Sequence, residues 1–542
     1  MRRLLLALLS VAAGGAAVVA ALPLLSPPNA ASVRPNLFVN PPGPIDANNS
    51  PTLVRNPLLE TNLVLTNRVD RPDFSALLHS SLDGGATWAS SVLPLPAGLD
   101  RPFAPDVAFA PDGTLFVSYV NLEGPGNVPA NLWVTASKDG GRTFADPVRV
   151  AGRLTFQARL AVDDDNTVHL TWLQANEVGL FRLVGGPNPV VATHSTDGGK
   201  TFTTPVMVSD PARQRVGAAS PVVDSGGDLV VLYQDFKGDR RDFEFLEGPP
   251  WGEPFALVVT RSTDGGKTFS PGVEADAGLV PTRRFLVFLP EFPSLAAGRD
   301  GNLYLAWADG RNGDEDVFLR RSQDGGRTWD RASRVNDNSP GDRTSQYLPR
   351  VAVAPDGRVD VLYLDRRRDP RQNVMTDAYL ASSYDEGKNF DSVRVSSSSF
   401  DSRVGPLVDS SIGVDFGSRL GLISTRDGAV AAWPDTRLGS EDTGRQDIAA
   451  AAVEFAPAPP SAARVRTVLG LLALSLLGLL GWVASSRSSK RHPSHAATSG
   501  GATTESRPEP PPPARQPEPG VTEGAPLGAA GATGTGPPAS SS

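Results

Sequence analysis

Along most of its length the chain alternates short apolar runs with polar turns, and the alternation itself repeats. Five stretches share one form, an apolar strand, a polar turn and a second apolar strand ending in Tyr or Trp. They are VAFAPDGTLFVSY (107–119), LAVDDDNTVHLTW (160–172), PVVDSGGDLVVLY (221–233), LAAGRDGNLYLAW (295–307) and VAVAPDGRVDVLY (351–363). Asp-Gly or a polar substitute between alternating apolar runs predicts a β-hairpin. A weaker copy, TLVRNPLLETNLVLT, occupies 52–66, and a seventh, LGLISTRDGAVAAW, ends at Trp433.

After six of these hairpins comes a second phrase, S-x-D-x-G-x-T-W/F. It reads SLDGGATW (81–88), SKDGGRTF (137–144), STDGGKTF (195–202 and again 262–269), SQDGGRTW (322–329) and the degenerate SYDEGKNF (383–390), at spacings of 56 to 67 residues. In such a phrase Asp accepts hydrogen bonds from its own turn, Gly permits a positive φ, and the closing aromatic anchors the turn in apolar surroundings. Asp83, Asp139, Asp197, Asp264, Asp324 and Asp385 are thus structural turn residues. Fixed-period repeats of a strand-rich unit predict a β-propeller. The phrase resembles the Asp-box, or bacterial neuraminidase repeat, of sialidases and many other propellers. That resemblance implies a propeller whose boxes lie on the face opposite any active site.

Seven hairpins with six boxes predict an all-β fold of seven four-stranded antiparallel blades. DIAAAAVEF (447–455) would supply the third strand of the last blade, and NLFVN (36–40) its fourth, closing the ring without a free edge. Six blades, with Leu37 to Thr66 outside the ring, is the alternative, and it is the number in sialidases. The propeller then covers residues 32–456.

Composition adds the flanks. Residues 1–31 open with Arg2 and Arg3 before a long apolar run, the layout of an export signal, cleaved or kept as an anchor. Residues 466–484 are apolar between basic flanks and read as one transmembrane helix, joined to the propeller by a linker at 457–465. The tail, 485–542, is rich in Pro, Gly, Ala and Ser and is expected to be disordered. These features predict an extracytoplasmic propeller, single-pass at the cell membrane, with a cytoplasmic tail. With no Cys, disulfides and thiol catalysis are excluded, and five scattered His residues show no metal-ligand spacing. No cofactor is expected. A net charge of −8 argues against a nucleic-acid partner.

Strand parity puts hairpins and boxes at one end of the propeller and leaves the other end for chemistry. That second end is rich in arginine, including the phrases WADGR (307–311), YLDRR (363–367) and WPDTR (433–437). A planar guanidinium can hold a carboxylate by two hydrogen bonds, although a repeated Asp-x-Arg also reads as a brace within the blade. Aligning blades on their aromatics puts Asp106, Arg159 and Arg350 in one register on the innermost strands, with Tyr347 matching Glu291. The resemblance to sialidases implies roles for them: Tyr347 as nucleophile, Glu291 as its activator, Asp106 as acid/base, and Arg159, Arg350, Arg311 and Arg403 as substrate-binding groups. The sialidase Arg-Ile-Pro phrase is missing. Two functions follow, an exo-glycosidase acting on sialic or another acidic sugar, and a non-catalytic cell-surface propeller binding a glycan or an envelope protein.

Overall fold

The computed structural model describes residues 29–457, apart from 177, 180–181, 184–186, 214, 238–253, 281–291, 410–412 and 415. Within them the chain forms seven four-stranded antiparallel blades. Blade one comprises Asn48–Arg55, Leu63–Val69, Ser75–Ser81 and Ala89–Val92, in that order from the inside outward. The innermost strands of blades two to seven are Pro102–Phe109, Thr155–Val162, Val216–Val223, Ser294–Ala297, Gln346–Val353 and Gly421–Ser424. Each packs against the innermost strand of the next blade, and that of blade seven packs against blade one, so the ring closes. The six-bladed alternative is excluded, because 48–66 forms the first hairpin of a full blade.

Closure comes from the N-terminal segment. Asp447–Pro457, the third strand of blade seven, pairs with Leu37–Phe38 and, further along, with Asn29–Val33. The closing strand therefore takes in residues 29–31, upstream of the boundary at 32. This seventh blade has no outer strand of its own and so no box.

Between neighbouring blades lie apolar clusters built from the alternate residues of facing strands. The hairpin aromatics are their centres: Tyr119, Trp172, Tyr233, Trp307, Tyr363 and Trp433 are all 0–1% exposed. Blade one has Asn67 instead. It accepts from His79 Nε2 at 2.7 Å, and His79 Nδ1 meets Ser90 Oγ at 2.7 Å. The weak first repeat is thus a polar version of the same packing position.

All six boxes form the same turn between third and fourth strands. In the first, Ser81 Oγ donates to Asp83 Oδ1 at 2.7 Å, Gly85 N–H donates to Ser81 Oγ at 2.8 Å, and the Thr87 amide and hydroxyl bond Asp83 at 2.9 and 2.6 Å. These bonds, the Thr87 hydroxyl first, hold the Asp83 carboxyl down at about 2. Asp197 and Asp264 are lowered by the equivalent threonines. The degenerate sixth turn keeps the geometry with Glu386 at φ 64°, where the other boxes place glycine, and Glu386 pairs with Arg321. The boxes sit beside the hairpins, as Gly84 N–H bonding Thr61 O at 2.8 Å shows.

Candidate functional site at the channel mouth

Five of the seven innermost strands share one irregularity. Their pairing slips between Asn49 and Thr52, Phe103 and Asp106, Phe156 and Arg159, Gly217 and Ser220, and Tyr347 and Arg350. Inside each slip stands a non-glycine residue at positive φ: Ser50 (56°), Ala104 (49°), Gln157 (59°), Ala218 (52°) and Leu348 (53°). Such a conformation costs about 1–3 kcal/mol, and a bulge re-aims the side chain beyond it. Two places on, the residues Thr52, Asp106, Arg159, Ser220 and Arg350 occupy one register, joined by Ser294 in blade five and Gly421 in blade seven.

At this level the blades meet across the channel. Arg159 Nη1 lies 2.8 Å from Asp106 Oδ1. Asp106 also accepts from the Thr52 hydroxyl at 3.1 Å and from Leu160 N–H at 2.8 Å. Arg419 enters two residues ahead of Gly421, which offers no side chain. Its Nε donates to Thr52 Oγ1 at 2.8 Å and its Nη2 to the Pro105 carbonyl. The Arg159 guanidinium, from blade three, stands 5.4 Å from the ring centre of Phe292, beside blade five.

Among the described residues, charge in this ring does not balance. Arg159 has Asp106, Arg419 bonds only neutral oxygens, and half-buried Arg350 has no hydrogen-bond or ion-pair partner among the described residues. Among the described residues three guanidinium groups face one carboxylate, an excess of two positive charges. The cost is visible in acidity: burial, then the Arg159 charge, push Arg350 down to about 10 against the opposing pull of Asp106. Arg419 is lowered well below the ordinary arginine range, again by burial first and Arg159 next. Arg68, close by, is neutralised by Asp70 at 2.7 Å. A cavity opens at the mouth between Ser50, Ala104, Gln157, Phe292 and Ser418, with Arg68 and Arg419 in its wall.

Of the residues singled out from sequence, Asp106 and Arg159 are joined directly, and Arg350 faces both electrostatically. Arg311 is elsewhere: its Nη2 pairs with Asp309 at 2.6 Å and Asp276 at 2.7 Å, while its guanidinium covers Phe318 at 5.0 Å. Arg403 is half-exposed and paired with Asp401 at 2.6 Å. Tyr347 is fully buried in the cluster between blades six and seven, where its hydroxyl meets Thr376 Oγ1 at 3.1 Å and accepts from Arg366 Nη2 at 3.4 Å. Glu291 lies outside the described residues. Arg419 was not legible from the register, because blade seven places Gly421 there.

The Asp-x-Arg phrases are braces. In blades five and seven Trp307 and Trp433 donate to Asp309 and Asp435 at 2.8 and 3.0 Å. The arginine two places on returns its Nε to the same carboxylate, at 2.9 Å in both blades.

No family model matches the chain, and no curated protein matches it. Among solved structures it is similar to a protein of unknown function from Dyadobacter fermentans, at 13% identity and a TM-score of 0.45, over 78% of this chain and 99% of that one. It is similar to an α-L-arabinofuranosidase from Fusarium graminearum, at 15% identity and 0.40, over 66% and 95%. A sialidase from Trypanosoma rangeli matches at 13% and 0.38, over 75% and 55%. At such identities these likenesses assign nothing to the residues of this channel.

Proposed function

We propose that this propeller is a non-catalytic binding module that takes the acid group of a glycan into its channel mouth, displayed outside the cell and held at the membrane by residues 466–484. The observation that supports the reading is the excess of two guanidinium charges in the ring among the described residues, with Arg350 unpartnered among them. A buried cation without a counter-charge is costly, and a bound carboxylate relieves it with charge-assisted hydrogen bonds.

Two features weigh against hydrolysis. Asp106 already accepts from Thr52, Arg159 and Leu160 N–H, so both of its oxygens are engaged within the protein, whereas a general acid must reach the substrate oxygen. The Tyr347 hydroxyl is fully buried beside Thr376 and Arg366, away from solvent.

Isothermal titration with sialylated and uronate-bearing oligosaccharides, against their neutral counterparts, tests the reading. Binding of the acidic forms alone is expected, weakened about tenfold or more in Arg350→Ala, which corresponds to at least about 1.4 kcal/mol. Release of a fluorescent aglycone from a sialoside, lost in Tyr347→Phe, would overturn it in favour of a glycosidase.

A further inference from the structure

We infer that the box end of the propeller faces the lipid bilayer, so that the arginine-lined mouth opens away from it. This rests on reading 466–484 as a membrane span, and it is independent of which ligand the mouth takes.

The direction of the strands carries the inference. In blade seven the third strand runs from Asp447, opposite Asp435, to Pro457, beyond the hairpin that ends at Gly428. Phe455 N–H bonds Asp427 O of that hairpin at 2.9 Å, so the strand ends at the hairpin end of the blade. That end also holds the boxes: Asn62 Nδ2 of the first hairpin bonds Gly140 O of the second box at 3.2 Å. The closing strand runs the opposite way, and its first residue, Asn29, pairs with Pro457. Both chain segments that lead to apolar stretches therefore leave the propeller side by side at the box end. Whichever stretch stays in the membrane, the exit is the same.

The tether is too short to reverse this. Residues 458–465 separate Pro457 from the apolar segment, and eight residues reach about 29 Å when fully extended. Bringing the mouth to the membrane requires the chain to climb back along the whole third strand, about 36 Å for its eleven residues.

The surface around the exit fits a lipid interface. Blades one and six flank blade seven, and their boxes carry Leu82 and Tyr384 at the second position, each 47% exposed. The other boxes place Lys138, Thr196, Thr263 and Gln323 there. Blade one adds Leu58 and Leu59, 70% and 48% exposed, on its hairpin. Apolar side chains and a tyrosine at a membrane boundary gain by burial among headgroups.

Because the chain has no Cys, single labelling sites can be added to the full-length protein in vesicles containing a headgroup-linked quencher. A fluorophore on Ala86→Cys, in the first box, is expected to be quenched several-fold more than one on Gln372→Cys, in the strand connection at the mouth end. Equal quenching, or more at Gln372→Cys, overturns the orientation while leaving the anchor standing. Failure of the full chain to float with vesicles overturns the anchor, and the inference with it, without touching glycan binding in solution.

Discussion

The two ends of this propeller treat charge in opposite ways. At the box end each turn satisfies its own aspartate with the serine, the amides and the threonine, asparagine in the sixth, of the same eight residues. In the channel the shared register holds five residue types across seven blades: Thr52, Asp106, Arg159, Ser220, Ser294, Arg350 and Gly421. Repetition with full satisfaction marks what the fold needs. Irregularity with unbalanced charge, held on a strained rim, marks what the molecule does, since buried groups that destabilise a fold concentrate where function requires them.

The largest expected effect comes from removing what both ends depend on. Deleting residues 29–38 leaves the third strand of blade seven with an open edge, and cooperative thermal unfolding by circular dichroism is expected to be lost or its midpoint to fall by more than about 10 °C, as several kcal/mol of packing disappear. Next is Arg358→Ala. Arg358 is fully buried on Asp360 at 2.9 Å, donates to the Thr425 and Gly428 carbonyls of the last hairpin, and lies 4.1 Å from the Phe455 ring centre. Leaving Asp360 uncompensated should cost about 3–5 kcal/mol in urea denaturation, with ligand binding unaltered below the transition.

A paired comparison in arginine sharpens the contrast. Arg311→Ala is expected to lower stability without changing affinity, because Arg311 braces Asp309 and Asp276. Arg350→Ala is expected to do the reverse, weakening binding tenfold or more while leaving the unfolding midpoint unchanged or raised, as a cation facing Arg159 is removed. Equal behaviour of the two would erase the distinction between the ends.

The smallest effect is a pH dependence with two stages. His79 is buried neutral, and burial takes its pKa to about 3. Its folded pKa lies below the unfolded value of about 6.5, so its contribution is complete above pH 6.5 and is lost as pH falls towards 3. The box carboxylates follow: Asp83, held at about 2, contributes above the unfolded value and loses that contribution as the pH drops from about 4 to 2. Midpoints measured from pH 7 to 3 should fall progressively, and His79→Gln should flatten the first stage.

Much of this was legible in the sequence because repeats report packing. The hairpin aromatics mark the inter-blade clusters, and the boxes mark the outer turns, so seven blades follow. The closing strand was half legible: NLFVN reads as a strand, whereas Asn29–Val33 lies in a stretch whose small apolar residues look like the end of an export signal. Asp106, Arg159 and Arg350 could be aligned because the bulge recurs at a fixed distance from each aromatic. Arg419 could not, since its side chain arrives from outside the register. For Arg311 and Arg403 the sequence shows a guanidinium and not its partner. Asp309 and Asp401, two residues before them, already hold them.

Whether an acidic ligand supplies counter-charge to the channel arginines is read most simply from thermal unfolding in glucuronate against chloride at constant ionic strength, for the native chain and for Arg350→Met. A saturable rise in midpoint with glucuronate is expected for the native chain and little or none for the variant. An equal rise in both, or none in either, would contradict it.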